Sequence, residues 1–138
     1  MSGFLLDASV VLASIDASDQ NSDAARELLV GDALDLASLD LVRYEIANVV
    51  AVSWQKPDLA SAVLAIAETL GGPNGLIRSE MSLLMAACEI AEKHSISVYD
   101  AAYVVAARTS GRTLVSCDER DLISNGLAVL PSDALAGL

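Results

Sequence analysis

Short apolar runs that do not alternate with polar residues, each followed by a helical pattern, organise this chain. FLL at 4–6 ends at Asp7, and ASVVLAS behind it reads as a helix with Ser9 near its start. NSDAARELLVG at 21–31 has a capping Asn or Ser, an apolar helical face and a terminal Gly, so it predicts a complete short helix. LDLASL at 34–39 predicts a second strand, and DLVRYEIANVVAVSWQ at 40–55 a longer helix. Pro57 is placed to open the next helix, PDLASAVLAIAETLG, which Gly71 and Gly72 end. GGPNG is a loop, and GLIRS at 75–79 is a short strand or an extended connector. Helices are predicted over EMSLLMAACEIAEKH (80–94) and YDAAYVVAARTSG (99–111), a strand over TLVSC (113–117), a short helix over DERDLISNG (118–126) and a last strand over LAVL (127–130).

Helices alternating with continuous apolar strands predict an α/β fold: a three-layer α/β/α sandwich whose central parallel sheet is covered on both faces. Such sheets carry their sites beyond the carboxyl ends of the strands, where strand order reverses. A length of 138 residues suits a single domain over 1–138 with one real core.

Composition changes this picture in three ways. Hydrophobic residues make up 54% of the chain but aromatics only 4%, so Ala, Leu and Val must fill the core by close helix packing on the sheet. The longest apolar runs fall well short of the roughly twenty residues needed to span a bilayer, so no membrane segment is expected. The amino-terminal apolar stretch has no Lys or Arg before it and is split by Asp7, which argues against a signal peptide and for a cytoplasmic protein. Cys88 and Cys117 form neither a disulfide framework nor a C-x-x-C metal motif and read as reduced core thiols.

The formal net charge of −11 disfavours broad attraction to nucleic acid. A phosphate substrate would therefore need a local basic patch or bound cations. Arg108, Arg112 and Arg120 lie close in sequence to Asp100 or Asp118 and are candidate phosphate contacts; Arg43 and Lys56 flank the helix of Glu45 and are weaker ones.

Most of the 19 acidic residues sit in polar contexts and need only be solvated. Four do not. Asp7 and Asp118 each follow a strand and precede a helix, where capping explains either one but not their equivalent placement. Glu45 lies among apolar residues in YEIANVV, where a helix edge could also bring it to water. Asp100 interrupts SVYDAAYVVAAR in the first turn of its helix, and the helix dipole favours a carboxylate there by only ~0.3 to 1 kcal/mol. Deep burial of an ion costs several kcal/mol, so something else must compensate. If the four converge, their repulsion has to be relieved by protonation or by a cation, and an oxygen-only ligand set without His or Cys suits Mg²⁺ or Mn²⁺.

In order and spacing, D-x-S at Asp7 to Ser9, Glu45 in YEIANVV, YDAAYVVAAR around Asp100, and LVSCDERDL with Asp118 and Asp121 resemble the PIN-domain ribonucleases, and at this length the VapC-type toxins of toxin–antitoxin pairs. The resemblance spans essentially the whole chain. It implies a catalytic set of Asp7, Glu45, Asp100 and Asp118, with Mg²⁺ or Mn²⁺ held by Asp7, Asp100 and Asp118 and Asp121 as an outer ligand. Ser9 and Ser116 match positions where the family has a hydroxyl near the carboxylates; Thr is common at the second, so Ser116 departs from the pattern. The resemblance further implies hydrolysis of RNA leaving a 5′-phosphate, an antitoxin that covers the site, and a homodimer.

Other readings fit less well. A haloacid-dehalogenase phosphatase needs D-x-D after the first strand, where this chain has Ser9, and a receiver domain needs a late strand-end Lys that is absent. Structure-specific DNA nucleases of related fold carry extra helices for which there is no room. The reading from a different class is a noncatalytic PIN-like module that docks a basic partner peptide. His94, at the end of its helix, and Trp54 and the tyrosines are read as structural or interface residues.

Overall fold

In the computed structural model, which describes residues 3–31 and 34–138, the first apolar run forms β1 (Phe4–Leu6), the central strand of a parallel sheet ordered β2-β1-β3. Its neighbours are β2 (Leu36–Ala37), with Phe4 opposite Leu36, and β3 (Thr113–Val115), with Leu5 opposite Leu114. The helices are α1 (Ala8–Ile15), α2 (Ser22–Val30), α3 (Leu41–Asn48), α4 (Pro57–Thr69), α5 (Met81–His94), α6 (Val98–Thr109) and α7 (Pro131–Ala136).

Side chains alternate across each strand, and this divides the core into two layers. Leu6 and Val115 point to one face and pack with Val10, Leu28, Ile46 and Val63 from α1, α2, α3 and α4. Leu5 and Leu114 point to the other, against Leu83 and Ala87 of α5 and the buried run Ala101–Ala107 of α6. Each fully buried Leu or Val contributes on the order of 1.5 to 3 kcal/mol. The α/β/α sandwich expected from the sequence is thus present. It also explains why α6 is apolar all round: the helix lies between the sheet and α5.

Several elements differ from the pattern reading. LAVL is not a strand, and of the two readings of GLIRS the extended connector holds; each makes one bridge, Ile77 with Leu39 and Val129 with Val115, through two backbone hydrogen bonds at the sheet margins. The helix expected over 40–55 is α-helical only to Asn48. It widens into a π-helical turn at Val49–Ser53, and Gln55 then adopts a left-handed conformation. Pro57 keeps the preceding Lys56 out of helical geometry, which separates this segment from α4. Residues Glu119–Ile123 form a π-helical turn instead of an α-helix, and α7 was not foreseen although Pro131 marks its first turn. No helix among the described residues is long and apolar enough to cross a membrane.

Candidate metal centre

From β1 the chain moves to β2 on one side, and β3 later docks on the other side of β1, so strand order reverses between β1 and β3. Asp7 directly follows β1, and Ser116 to Asp118 directly follow β3. The two turns therefore meet at the carboxyl edge of the sheet, the position that open α/β sheets use for ligands.

Capping and clustering prove to be the same event. Asp7 is the N-cap of α1, its Oδ1 accepting the Ser9 backbone N–H at 3.0 Å and also the Ser9 hydroxyl. Asp118 caps the π-helical turn, its Oδ1 accepting the Asp121 backbone N–H at 3.0 Å. Each of these caps engages Oδ1, and the Asp7 carboxylate is also held by the Ser116 hydroxyl. Ser97 caps α6 by accepting the Asp100 backbone N–H, so the Asp100 carboxylate is not itself the cap.

The serines join the two turns. Ser9 Oγ accepts the Cys117 backbone N–H at 2.9 Å and lies 3.4 Å from Ser116 Oγ. Ser116 is fully buried, and its Oγ accepts the Asp118 backbone N–H at 3.0 Å. From α3, Glu45 reaches the same region, where Tyr103 Oη donates to its Oε1 at 2.6 Å.

Crowding leaves an electrostatic signature. Burial, with added repulsion from Glu45 and Asp100, pushes Asp7 up to about 6 even though Ser116 and Ser9 oppose the change. Asp100 is also pushed up to about 6, by burial first and then by Asp118, Glu45 and Asp121. Glu45 is raised by burial against the opposing hydrogen bond from Tyr103. This is the excess of negative charge that a cation would relieve.

Among the described residues, the carboxylates that offer oxygens within 4.8 Å of one another are Asp100, Asp118 and Asp121. The donor set is all oxygen, with no His or Cys in it, which fits Mg²⁺ or Mn²⁺ rather than Zn²⁺. Asp121, expected only as an outer residue, thus lies in the tightest group, while Asp7 and Glu45 flank it closely enough to raise Asp100 or be raised with it.

The three arginines do not form one patch. Arg120 is beside the cluster, its Nε 3.3 Å from Asp121 Oδ1. Arg112 instead pairs with Asp35 at 3.0 Å, at the amino edge of the sheet where Thr113 N–H bonds the Gly3 carbonyl. Arg108 lines a cleft there with Arg112 and Gly126. It is eight residues beyond Asp100 on α6, about 12 Å along the helix axis. Arg108 and Arg112 thus lie away from the carboxylates, and Arg120 is the one of the three beside them.

His94 sits in the last turn of α5, as expected, and Trp54 packs on the α1 and α4 side of the core. Tyr103 is the site neighbour that the sequence reading passed over. Its spacing of three residues from Asp100, on the same helix face, was the available signal.

A family model described as the PIN domain matches residues 4–125. No curated protein matches the chain. Among solved structures, the fold is similar to a toxin-antitoxin complex from Klebsiella pneumoniae, with 14% identity, a TM-score of 0.66, and coverage of 94% of this chain and 98% of that one. It is similar to PAE2754 from Pyrobaculum aerophilum, with 24% identity, a TM-score of 0.66, and coverage of 99% and 96%. The third likeness is to FitAcB from Neisseria gonorrhoeae, with 15% identity, a TM-score of 0.63, and coverage of 94% and 98%. At these identities the likeness is one of fold.

Proposed function

The chain belongs to the PIN-domain family, and from that premise we propose that it is a metal-dependent endoribonuclease acting as the toxin of a toxin–antitoxin pair. PIN domains are generally nucleases that use divalent metals. The observation that carries the reading is the convergence of Asp100, Asp118 and Asp121 at the strand-order reversal, with Asp7 and Glu45 beside them.

Asp100, Asp118 and Asp121 would hold Mg²⁺ or Mn²⁺, with Asp7 completing the set. When bound, the ion supplies positive charge at the phosphodiester and makes water a better nucleophile at neutral pH. Ser9 and Ser116 hold the Asp7 and Asp118 turns at fixed separation, which orients the carboxylates before substrate arrives. Glu45 Oε2 has no hydrogen-bond partner among the described residues and would take the proton from the attacking water. The new bond joins water oxygen to phosphorus, the bond from phosphorus to the 3′ oxygen breaks, and the departing oxygen takes up a proton. Of the three arginines, Arg120, beside Asp121, would meet a neighbouring phosphate.

The partner is an antitoxin with a basic segment, for which the site's negative charge and the chain's net charge of −11 provide complementarity. The likeness to the Klebsiella complex supports that choice. The working unit is one domain over 1–138, cytoplasmic and homodimeric.

The test is cleavage of a mixed RNA pool by the purified protein with Mg²⁺ or Mn²⁺, beside an EDTA control and the Asp100→Asn variant. Cleavage lost in both controls supports the reading. Absence of cleavage together with absence of cation binding by titration calorimetry would replace it with the noncatalytic docking module.

A further inference from the structure

One buried hydroxyl touches the elements that carry three of the five carboxylates. Tyr103 is 1% exposed, its ring packed in the core layer with Leu5, Leu39 and Ala87. From α6, three residues past Asp100, its Oη donates to Glu45 Oε1 on α3 at 2.6 Å. The Ala8 backbone N–H, immediately after Asp7, acts on the same phenol oxygen. Burial and the charge of Glu45 push this phenol far above its usual range, so it remains a proton donor.

Glu45 has reason to leave. Its side chain is flexible, the neighbouring Asp7 and Asp100 repel it, and water is within reach of a half-buried position. Against these the described residues offer a single side-chain hydrogen bond, the one from Tyr103. We propose that Tyr103 is a positioning residue for the carboxylate site, fixing Glu45 so that Oε2 faces the space it shares with Asp7 and Asp100. The inference rests on the metal-nuclease reading and deepens it. The ring supplies packing and the hydroxyl supplies aim, and the two are separable because Phe keeps the first without the second.

The experiment compares wild type, Tyr103→Phe, Glu45→Gln and the double variant, reading Mn²⁺ affinity by calorimetry, RNA cleavage as kcat and KM, and the thermal midpoint. For Tyr103→Phe the expected result is kcat lower by about 10- to 100-fold, as misplacement of the proton-accepting group does, with Mn²⁺ affinity close to wild type. KM for RNA and the folded structure stay as in wild type. In the Glu45→Gln background, Tyr103→Phe lowers kcat no further, because its effect passes through Glu45. Wild-type kcat in Tyr103→Phe, or an equal further loss of kcat in the Glu45→Gln background, overturns the role of Tyr103 alone. A wild-type chain that neither binds Mn²⁺ nor cuts RNA removes the metal-nuclease reading and this inference with it.

Discussion

Ser9 and Cys117 are 108 residues apart in the chain, yet the Ser9 hydroxyl accepts the Cys117 backbone N–H at 2.9 Å while donating to Asp7. One side chain thereby joins the turn after β1 to the turn after β3. Ser9→Ala removes both bonds and leaves the Cys117 N–H without its acceptor. The expected cost is about 1 to 3 kcal/mol, read as a lower urea midpoint. Cleavage should fall as well, because Asp7 loses the hydroxyl that orients it; an unchanged midpoint would show that the turns are held by packing alone.

Asp7 makes stability depend on pH in an unusual direction for an acidic residue. Its folded value of about 6 lies above the ordinary 3.8, so between these values the folded chain binds more protons than the unfolded one. The stability it contributes is complete below about pH 4 and is lost as pH rises through about 6. Asp100 acts in the same direction. Without divalent cation, the protein should therefore be steadier at pH 5 than at pH 7.5. Asp7→Asn mimics the protonated form and should add stability at pH 7.5, on the order of 2 to 3 kcal/mol, and little near pH 4. Denaturant midpoints of both proteins across this range are the measurement, and an equal effect of the substitution at both ends would contradict it.

Asp121 separates the sequence-based ligand set from the geometric one. Asp118→Asn and Asp121→Asn should each weaken Mn²⁺ binding by 10-fold or more, because both belong to the group within 4.8 Å. If Asp121→Asn binds Mn²⁺ as wild type does while Asp118→Asn does not, Asp121 is confined to its bond with Arg120.

The arginines give a spatial control. Arg108→Ala should leave RNA cleavage within about twofold of wild type, since its side chain lies at the opposite edge of the sheet. Arg120→Ala should raise KM for RNA and flatten its salt dependence, as loss of one phosphate contact does. Equal losses from both variants would mean that the RNA path runs the length of α6.

What the sequence determined is local. Continuous apolar runs and helical spacing fixed the alternation of strands and helices, because side-chain periodicity follows directly from backbone geometry. Asp7 and Asp118 were legible because a strand end followed by a capping residue is a short-range signal. Asp100 was legible because an acid in an apolar helix calls for compensation. The single-residue pairings of Ile77 and Val129 were not, since apolar runs at a sheet margin look like strands whether or not enough partners are present. Nor was the separation of Arg108 and Arg112 from the site: α6 runs back from the carboxyl edge, so nearness in sequence to Asp100 becomes distance in space. The contacts of Ser9 with Cys117 and of Tyr103 with Glu45, and the inclusion of Asp121, depend on which element ends meet. Strand order and helix packing set those meetings across many tens of residues, beyond the reach of any local pattern.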